Sequence, residues 1–177
     1  GTATVPDLRP RIILTPSNEF LIAWTRLIGT AQHLMVSSTS DPASWENERF
    51  LVTNVQSADI YDLSLATDGR NNILAAWSTS AGPVRQVNCS RSTDSGQTWT
   101  PPQRLASLPT TALSEPALAS DYKGKWVAVY AAETDGMPFF STSLIAIPDQ
   151  EYADLRITNA TVVQPPPEDP HPFFGQL

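Results

Sequence analysis

Cysteine is nearly missing from this chain. The single Cys89 excludes an internal disulfide and any cysteine-based zinc cluster. Histidine is scarce too, and His33 and His171 lie too far apart for a local metal motif. Positive charge is in short supply: 11 Lys+Arg stand against 18 Asp+Glu, for a net charge of −7. With no field to attract phosphates, nucleic acid is not an expected partner. Charged residues reach only 16%, where about 25% is usual. The longest apolar runs, Phe20 to Trp24 and Trp126 to Ala132, fall far short of the ~20 residues of a membrane span. No signal-peptide pattern opens the sequence, which starts at Gly1 rather than Met; the expectation is a processed chain or a piece of a longer one. Serine-hydrolase grammar is lacking, because Ser90, Ser92 and Ser95 have no nearby His and no Gly-x-Ser-x-Gly setting. Asp149, Glu151 and Asp154 lack the loop glycine and ligand spacing of a calcium-binding hand and read as a solvated turn. No metal and no cofactor is expected.

What is present is a repeat. The 177 residues, 41% hydrophobic, make one domain's worth of chain, able to bury roughly 70% of its unfolded surface. Three segments share a pattern: Phe20 to Trp24, Ile73 to Trp77 and Trp126 to Tyr130. Their closing aromatics, Trp24, Trp77 and Tyr130, are spaced by 53 residues both times. The same offset pairs Leu65 with Leu118, Asp68 with Asp121, Gly29 with Gly82, and Asp41 with Asp94. Within each repeat, short β-prone runs are separated by turn residues such as Asp68 to Asn72, Asp121 to Gly124 and Pro16 to Asn18, the signature of hairpins. Later strands read as His33 to Ser38, Arg85 to Ser90 and Pro138 to Ile145. A fourth set reads as Phe50 to Thr53, Arg104 to Ser107 and Leu155 to Thr158. No apolar stripe runs at helical spacing over ten residues.

The expected fold is therefore all-β, with about three four-stranded antiparallel blades of a propeller; a β-sandwich is the competing architecture. The boundaries read as an N-terminal segment, 1–8, able to complete a blade, then repeats at 9–61, 62–114 and 115–163. A tail follows at 164–177, where Gln164 to Pro172 holds five prolines in nine residues and cannot join a ladder. Equivalent positions make Trp24, Trp77 and Tyr130 packing residues between blades rather than a sugar-stacking row. Cys89 reads as a buried, inert thiol.

The sequence Ser92-Thr-Asp94-Ser-Gly96-Gln-Thr-Trp99 has the form Ser-x-Asp-x-Gly-x-x-Trp. It resembles the Asp-box, or bacterial neuraminidase repeat, of sialidase-like propellers. Asp94 suits turn amides, Gly96 permits positive φ, and Trp99 can fold its ring back onto the blade. A decayed copy runs from Thr39 to Trp45: Asp41 is in register with Asp94, the glycine is replaced, and Trp45 comes one residue early. The resemblance spans residues 9 to 163 and is most specific at 92 to 99.

The resemblance implies a six-bladed ring. It also implies a substrate carboxylate held by three arginines, an Asp acid/base, and a Tyr–Glu nucleophile pair at the channel mouth, an exception to the two-carboxylate scheme. At the 53-residue offset the innermost strands begin with Arg9, Asp62 and Glu115, one per repeat and the candidate catalytic set. Arg11 could serve in place of Arg9. The family's arginine after the third repeat's strand pair is missing, since the chain reads Tyr130-Ala131-Ala132. Half a ring cannot hold the full set.

Asn88-Cys-Ser and Asn159-Ala-Thr match the glycosylation acceptor pattern and fit an extracellular or secreted protein. Two functions are carried forward. One is a non-catalytic propeller module that recognises a glycan or a protein or builds an extracellular assembly. The other is the N-terminal half of a sialidase-type glycoside hydrolase, inactive without the rest of the ring. Partners would be a carbohydrate or protein ligand, and further blades from a longer chain or from a second copy that cover the open edges of the stack.

Overall fold

The computed structural model describes residues 7–45, 47–52, 59–81, 84–108, 116–123, 125–134, 137–146 and 156–163. Every regular element among them is a β-strand. The first sheet contains β1 (Asp7–Leu14), β2 (Phe20–Ile28), β3 (Ala31–Thr39) and β4 (Arg49–Val52). The second contains β5 (Asp59–Thr67), β6 (Ile73–Ala81), β7 (Val84–Ser92) and β8 (Gln103–Leu108). The third contains β9 (Ala117–Ser120), β10 (Lys125–Thr134), β11 (Met137–Ala146) and β12 (Arg156–Val163). Each sheet is antiparallel and ordered as a simple meander, so short hairpins suffice as connections.

The 53-residue period holds at atomic detail in the turns. Thr15, Asp68 and Asp121 occupy one position and supply the same device, a side-chain acceptor for turn amides. Thr15 Oγ1 accepts from Glu19 N at 3.1 Å. Asp68 Oδ1 accepts from Arg70 N at 2.9 Å. Asp121 Oδ1 accepts from Lys123 N at 2.7 Å and Lys125 N at 2.9 Å, and those amides hold its carboxyl below the usual range.

The sheets stack face to face. β1 lies against β5, and β5 against β9, so the first strand of each sheet meets the next across the stack. Two cores result. Between the first and second sheets, Leu21, Ala23, Leu34 and Val36 meet Ile60, Leu63, Ile73 and Trp77. Between the second and third, Leu74, Ala76, Val87 and Cys89 meet Trp126, Ala128 and Tyr130. Alternation along β6 explains this division: Ile73, Ala75 and Trp77 face one neighbour, Leu74 and Ala76 the other. A strand covered on both faces is continuously apolar for that reason. Trp77 and Tyr130 are each 1% exposed and pack between sheets as expected, whereas Trp24, 7% exposed, belongs to neither core and lines a pocket on the first sheet's outer face. Cys89 is fully buried, and burial pushes its thiol up to about 12.

The strand limits correct the repeat boundaries. β1 already includes Asp7 and Leu8, and β5 begins at Asp59, so the cuts after residues 8 and 61 each fall inside a strand. The cause at the first cut is a bulge. The β1–β2 register jumps between Leu8 and Arg11, and Pro10 sits in the unmatched stretch, where its missing N–H costs no ladder bond. The last strand also runs longer than Leu155 to Thr158, reaching Val163. Residues 1–6 and the tail at 164–177 lie outside the described residues.

Candidate functional site

The strand starts of β1 and β5 carry the same irregularity. Arg9 lies in the β1 bulge with φ 54°, and Asp62 lies in a bulge between Tyr61 and Leu63 with φ 44°. Neither is glycine, and a left-handed conformation costs such residues about 1 kcal/mol or more. Bulges re-aim side chains at sheet ends. The two residues paired by the sequence offset are therefore structurally equivalent as well.

Around them a small cluster spans the first two sheets. Arg9 Nη1 donates to the Ile60 carbonyl at 3.0 Å, tying β1 to β5. Its guanidinium lies 5.5 Å from the centre of the Tyr61 ring, and that of Arg85 lies 4.5 Å from it. Both separations fall within cation–π range. Arg85 pairs with Ser80, which pairs with Asp59, so β7 begins at the same end of the sheet as β5. The half-buried Asp62 adjoins Tyr61 on the bulge. Two cations, a phenol and a carboxylate thus share one sheet end. Such a set can hold a polyol or an anionic group by hydrogen bonds and charge.

The sequence offset marked Arg9 and Asp62 as candidate catalytic residues and did not mark Tyr61 or Arg85, for which the preference of guanidinium groups for aromatic faces was the available signal. Glu115 lies outside the described residues. Arg11, on the opposite side of the bulge, donates to the Pro10 carbonyl at 3.0 Å.

A second polar group, not anticipated, stands at the same end of the first sheet. Arg26 binds Asp7 through two nitrogens, at 2.6 and 2.7 Å. It also binds Glu48 at 2.5 and 3.0 Å, and it lies 5.4 Å from the Trp24 ring centre. Hydrogen bonds from Arg26 hold both carboxyls below their ordinary values, and the two acids raise the Arg26 guanidinium. Beside this group a pocket of about 250 Å³ opens on the sheet face, lined by Leu8, Pro10, Ile22, Trp24 and Trp45 among others.

The turn at 92–99 lies at the other end of β7. Ser92 Oγ accepts from Gly96 N at 2.7 Å and donates to Asp94 Oδ1 at 2.7 Å. Asp94 also accepts from Thr98 N at 2.8 Å and Thr98 Oγ1 at 2.5 Å. Trp99 Nε1 donates to the Gly96 carbonyl at 3.2 Å. These interactions brace the turn and stay within it or the adjoining sheet, away from the Arg9 cluster.

Among the described residues, no group of three His, Cys, Asp or Glu could hold a metal ion, and no helix is long and apolar enough to cross a membrane. His33, half-buried in β3, packs 5.4 Å from the Phe50 ring. Asn88 is half-buried in mid-β7 and donates to Thr79 Oγ1 at 3.1 Å. Asn159 lies in β12.

No family model matches this chain, and no curated protein does. Solved structures do. An α-L-arabinofuranosidase mutant from Fusarium graminearum, in complex with an iminosugar inhibitor, matches with TM-score 0.63 at 17% identity, over 80% of this chain and 46% of its own. The catalytic domain of a Coprinopsis cinerea α-L-arabinofuranosidase matches with TM-score 0.57 at 13% identity, over 87% and 50%. A Podospora anserina α-L-arabinofuranosidase in complex with cellotriose matches with TM-score 0.56 at 16% identity, also over 87% and 50%. The likeness establishes a β-propeller-like arrangement of four-stranded antiparallel sheets. The chain spans about half the length of these solved proteins.

Proposed function

We propose that this chain is a non-catalytic, sialidase-like propeller module that recognises carbohydrate at the sheet end formed by Arg9, Tyr61, Asp62 and Arg85. The observation that carries the reading is the cluster itself. Two guanidinium groups lie within 5.5 Å of one tyrosine ring, next in sequence to Asp62 on a left-handed bulge, in a fold shared with proteins that act on sugars. Polar planar groups around an aromatic ring suit sugar hydroxyls and acidic sugars alike. The braced turn at 92–99 fits the Asp-box of that family and acts as a rim staple.

A second reading is favoured by Asp62: the chain supplies part of a glycoside hydrolase whose remaining residues come from further blades. Hydrolysis ordinarily needs a second group opposite the first, and Glu115 would have to provide it. An extracellular setting, with Asn88 and Asn159 as acceptor sites, accompanies either reading.

The test is a glycan array spanning sialosides, arabinofuranosides and cello-oligosaccharides, read with the unmodified chain and with Tyr61→Ala and Arg85→Gln. The module predicts retained glycans whose affinity drops at least tenfold in both variants while thermal melting is little changed. An empty array, or binding indifferent to both variants, sinks the recognition site. Turnover of a nitrophenyl glycoside by a ring completed with further blades, lost in Asp62→Asn, would replace the first reading with the second.

A further inference from the structure

The two ends of the stack are unlike, and their residues are the continuation of the seams inside it. At the inner seams one sheet presents an aromatic and its neighbour presents small or branched residues. Trp77 of the second sheet meets Leu21 and Ala23 of the first; Trp126 and Tyr130 of the third meet Leu74 and Ala76 of the second. Trp24 stands 53 residues before Trp77, on the open face of the first sheet. Around it Leu8, Ile12 and Leu14 are 44%, 57% and 51% exposed, and the pairing of Ile12 with Ile22 and Leu14 with Phe20 carries the apolar surface onto β2. The pocket beneath Trp24 lies in this face.

The opposite end carries the complement. Val127 and Val129 of β10 are the 53-residue equivalents of Leu74 and Ala76, and Ala119 is the equivalent of Ala66, which packs in the seam with the third sheet. Val127 pairs with Ala119 and Val129 with Ala117, so all four share the face turned away from Trp126 and Tyr130. Ala117 and Ala119 are exposed.

We propose that the open face of the first sheet is an interface for a second copy of this chain, whose third sheet seats on it. Each copy carries both halves of a seam, so two copies related by a two-fold axis along the channel make two identical seams and close one ring. Heterologous faces form rings when the rotation closes. Size is compatible with closure at two: one chain matches 46% of the length of the Fusarium graminearum propeller-like protein, so two chains are of the size of one whole propeller. The seams bury the apolar face that three sheets alone leave wet.

Light scattering on a sizing column, with the 177-residue chain over a concentration series, should give the mass of two chains. Ile12→Asp and Ala119→Lys alter exposed positions on opposite ends, so far-UV circular dichroism should be unchanged. Each alone should raise the dimer dissociation constant at least 100-fold. An equimolar mixture of the two should recover a dimer, because one seam is then unsubstituted and the other carries opposed charges. A monomer at every concentration overturns the proposal and assigns the face to strands outside this sequence. A ladder of larger species overturns ring closure. A dimer broken by Ile12→Asp but not by Ala119→Lys overturns it in favour of first-sheet faces pairing with each other. Should either variant fail to fold, the mass of the unsubstituted chain decides.

Discussion

The turn after β7 and the turn after β3 hold the same place in their sheets, and they differ in what presses on them. Both keep an aspartate that caps turn amides: Asp94 accepts from Thr98 N at 2.8 Å, and Asp41 Oδ1 accepts from Ala43 N at 2.9 Å. Both keep a tryptophan whose indole N–H reaches back three residues, Trp99 to Gly96 at 3.2 Å and Trp45 to Pro42 at 3.0 Å. Among the described residues, only the first is locked to a neighbouring sheet. The Gly96 carbonyl accepts from Arg49 of β4 at 2.8 and 3.2 Å, Trp99 packs on the core between the first two sheets, and Leu21 lies against the Gly96 backbone. Position 43, in register with Gly96, holds an exposed alanine. Glycine is required where a neighbouring sheet closes on the turn, and dispensable where none does.

The sharpest way to break this comparison is Gly96→Ala. A Cβ there would meet Leu21 Cδ1 at 2.1 Å, and φ is +88°. Overpacking and left-handed strain together should cost about 3 kcal/mol or more, read as a lower midpoint in urea unfolding. Ala43→Gly should change the unfolding free energy by less than about 1 kcal/mol. Gly29→Ala is a control for strain alone, since φ is +64° with nothing within 4 Å, and should cost about 1 kcal/mol. Equal losses at 96 and 29 would show that Leu21 is irrelevant to the glycine.

The tryptophans sharpen the same contrast at smaller magnitude. Trp99→Ala removes a ring from a core and should cost about 2–3 kcal/mol, below the full-burial range because the ring is only partly covered. Trp45, 39% exposed, should cost less than about 1 kcal/mol. If seating a second chain covers Trp45, its cost should grow with protein concentration.

Much of this is legible in the sequence alone. The 53-residue spacing of Trp24, Trp77 and Tyr130 located three equivalent central strands, because a strand buried on both faces must be apolar throughout. Thr15 was not expected to do the work of Asp68 and Asp121, since its hydroxyl substitutes for a carboxylate without resembling one. The left-handed bulges at Arg9 and Asp62 carry no sequence signal, for no glycine marks them. The Arg49 link to Gly96 joins residues 47 apart, and the Arg26 bridges to Asp7 and Glu48 join residues 19 and 22 apart. Such pairings follow from how strands stack, which local patterns do not encode.

The smallest expected effect concerns acid, and it separates the two sheets by mechanism. Partial burial pushes the Asp94 carboxyl up, but hydrogen bonds from Thr98, Ser92 and Gln97 outweigh it and leave the group below its ordinary value. Asp7 and Glu48 are lowered chiefly by hydrogen bonds from Arg26. A carboxyl lowered by folding stabilises the fold above its unfolded value, near 4, and that contribution is lost as pH falls through the folded value. Stability should therefore decline below about pH 4.5, by on the order of 1 kcal/mol from Asp94. The Arg26 bridges should contribute less than about 1 kcal/mol, because Asp7 and Glu48 are 46% and 48% exposed. Salt distinguishes the two. Roughly 0.5 M sodium chloride should screen the exposed bridges and leave the Asp94 hydrogen bonds largely intact, so the acid loss that survives salt should vanish in Asp94→Asn. If Asp94→Asn leaves that salt-resistant loss unchanged, the turn's aspartate contributes geometry and no charge-dependent stability.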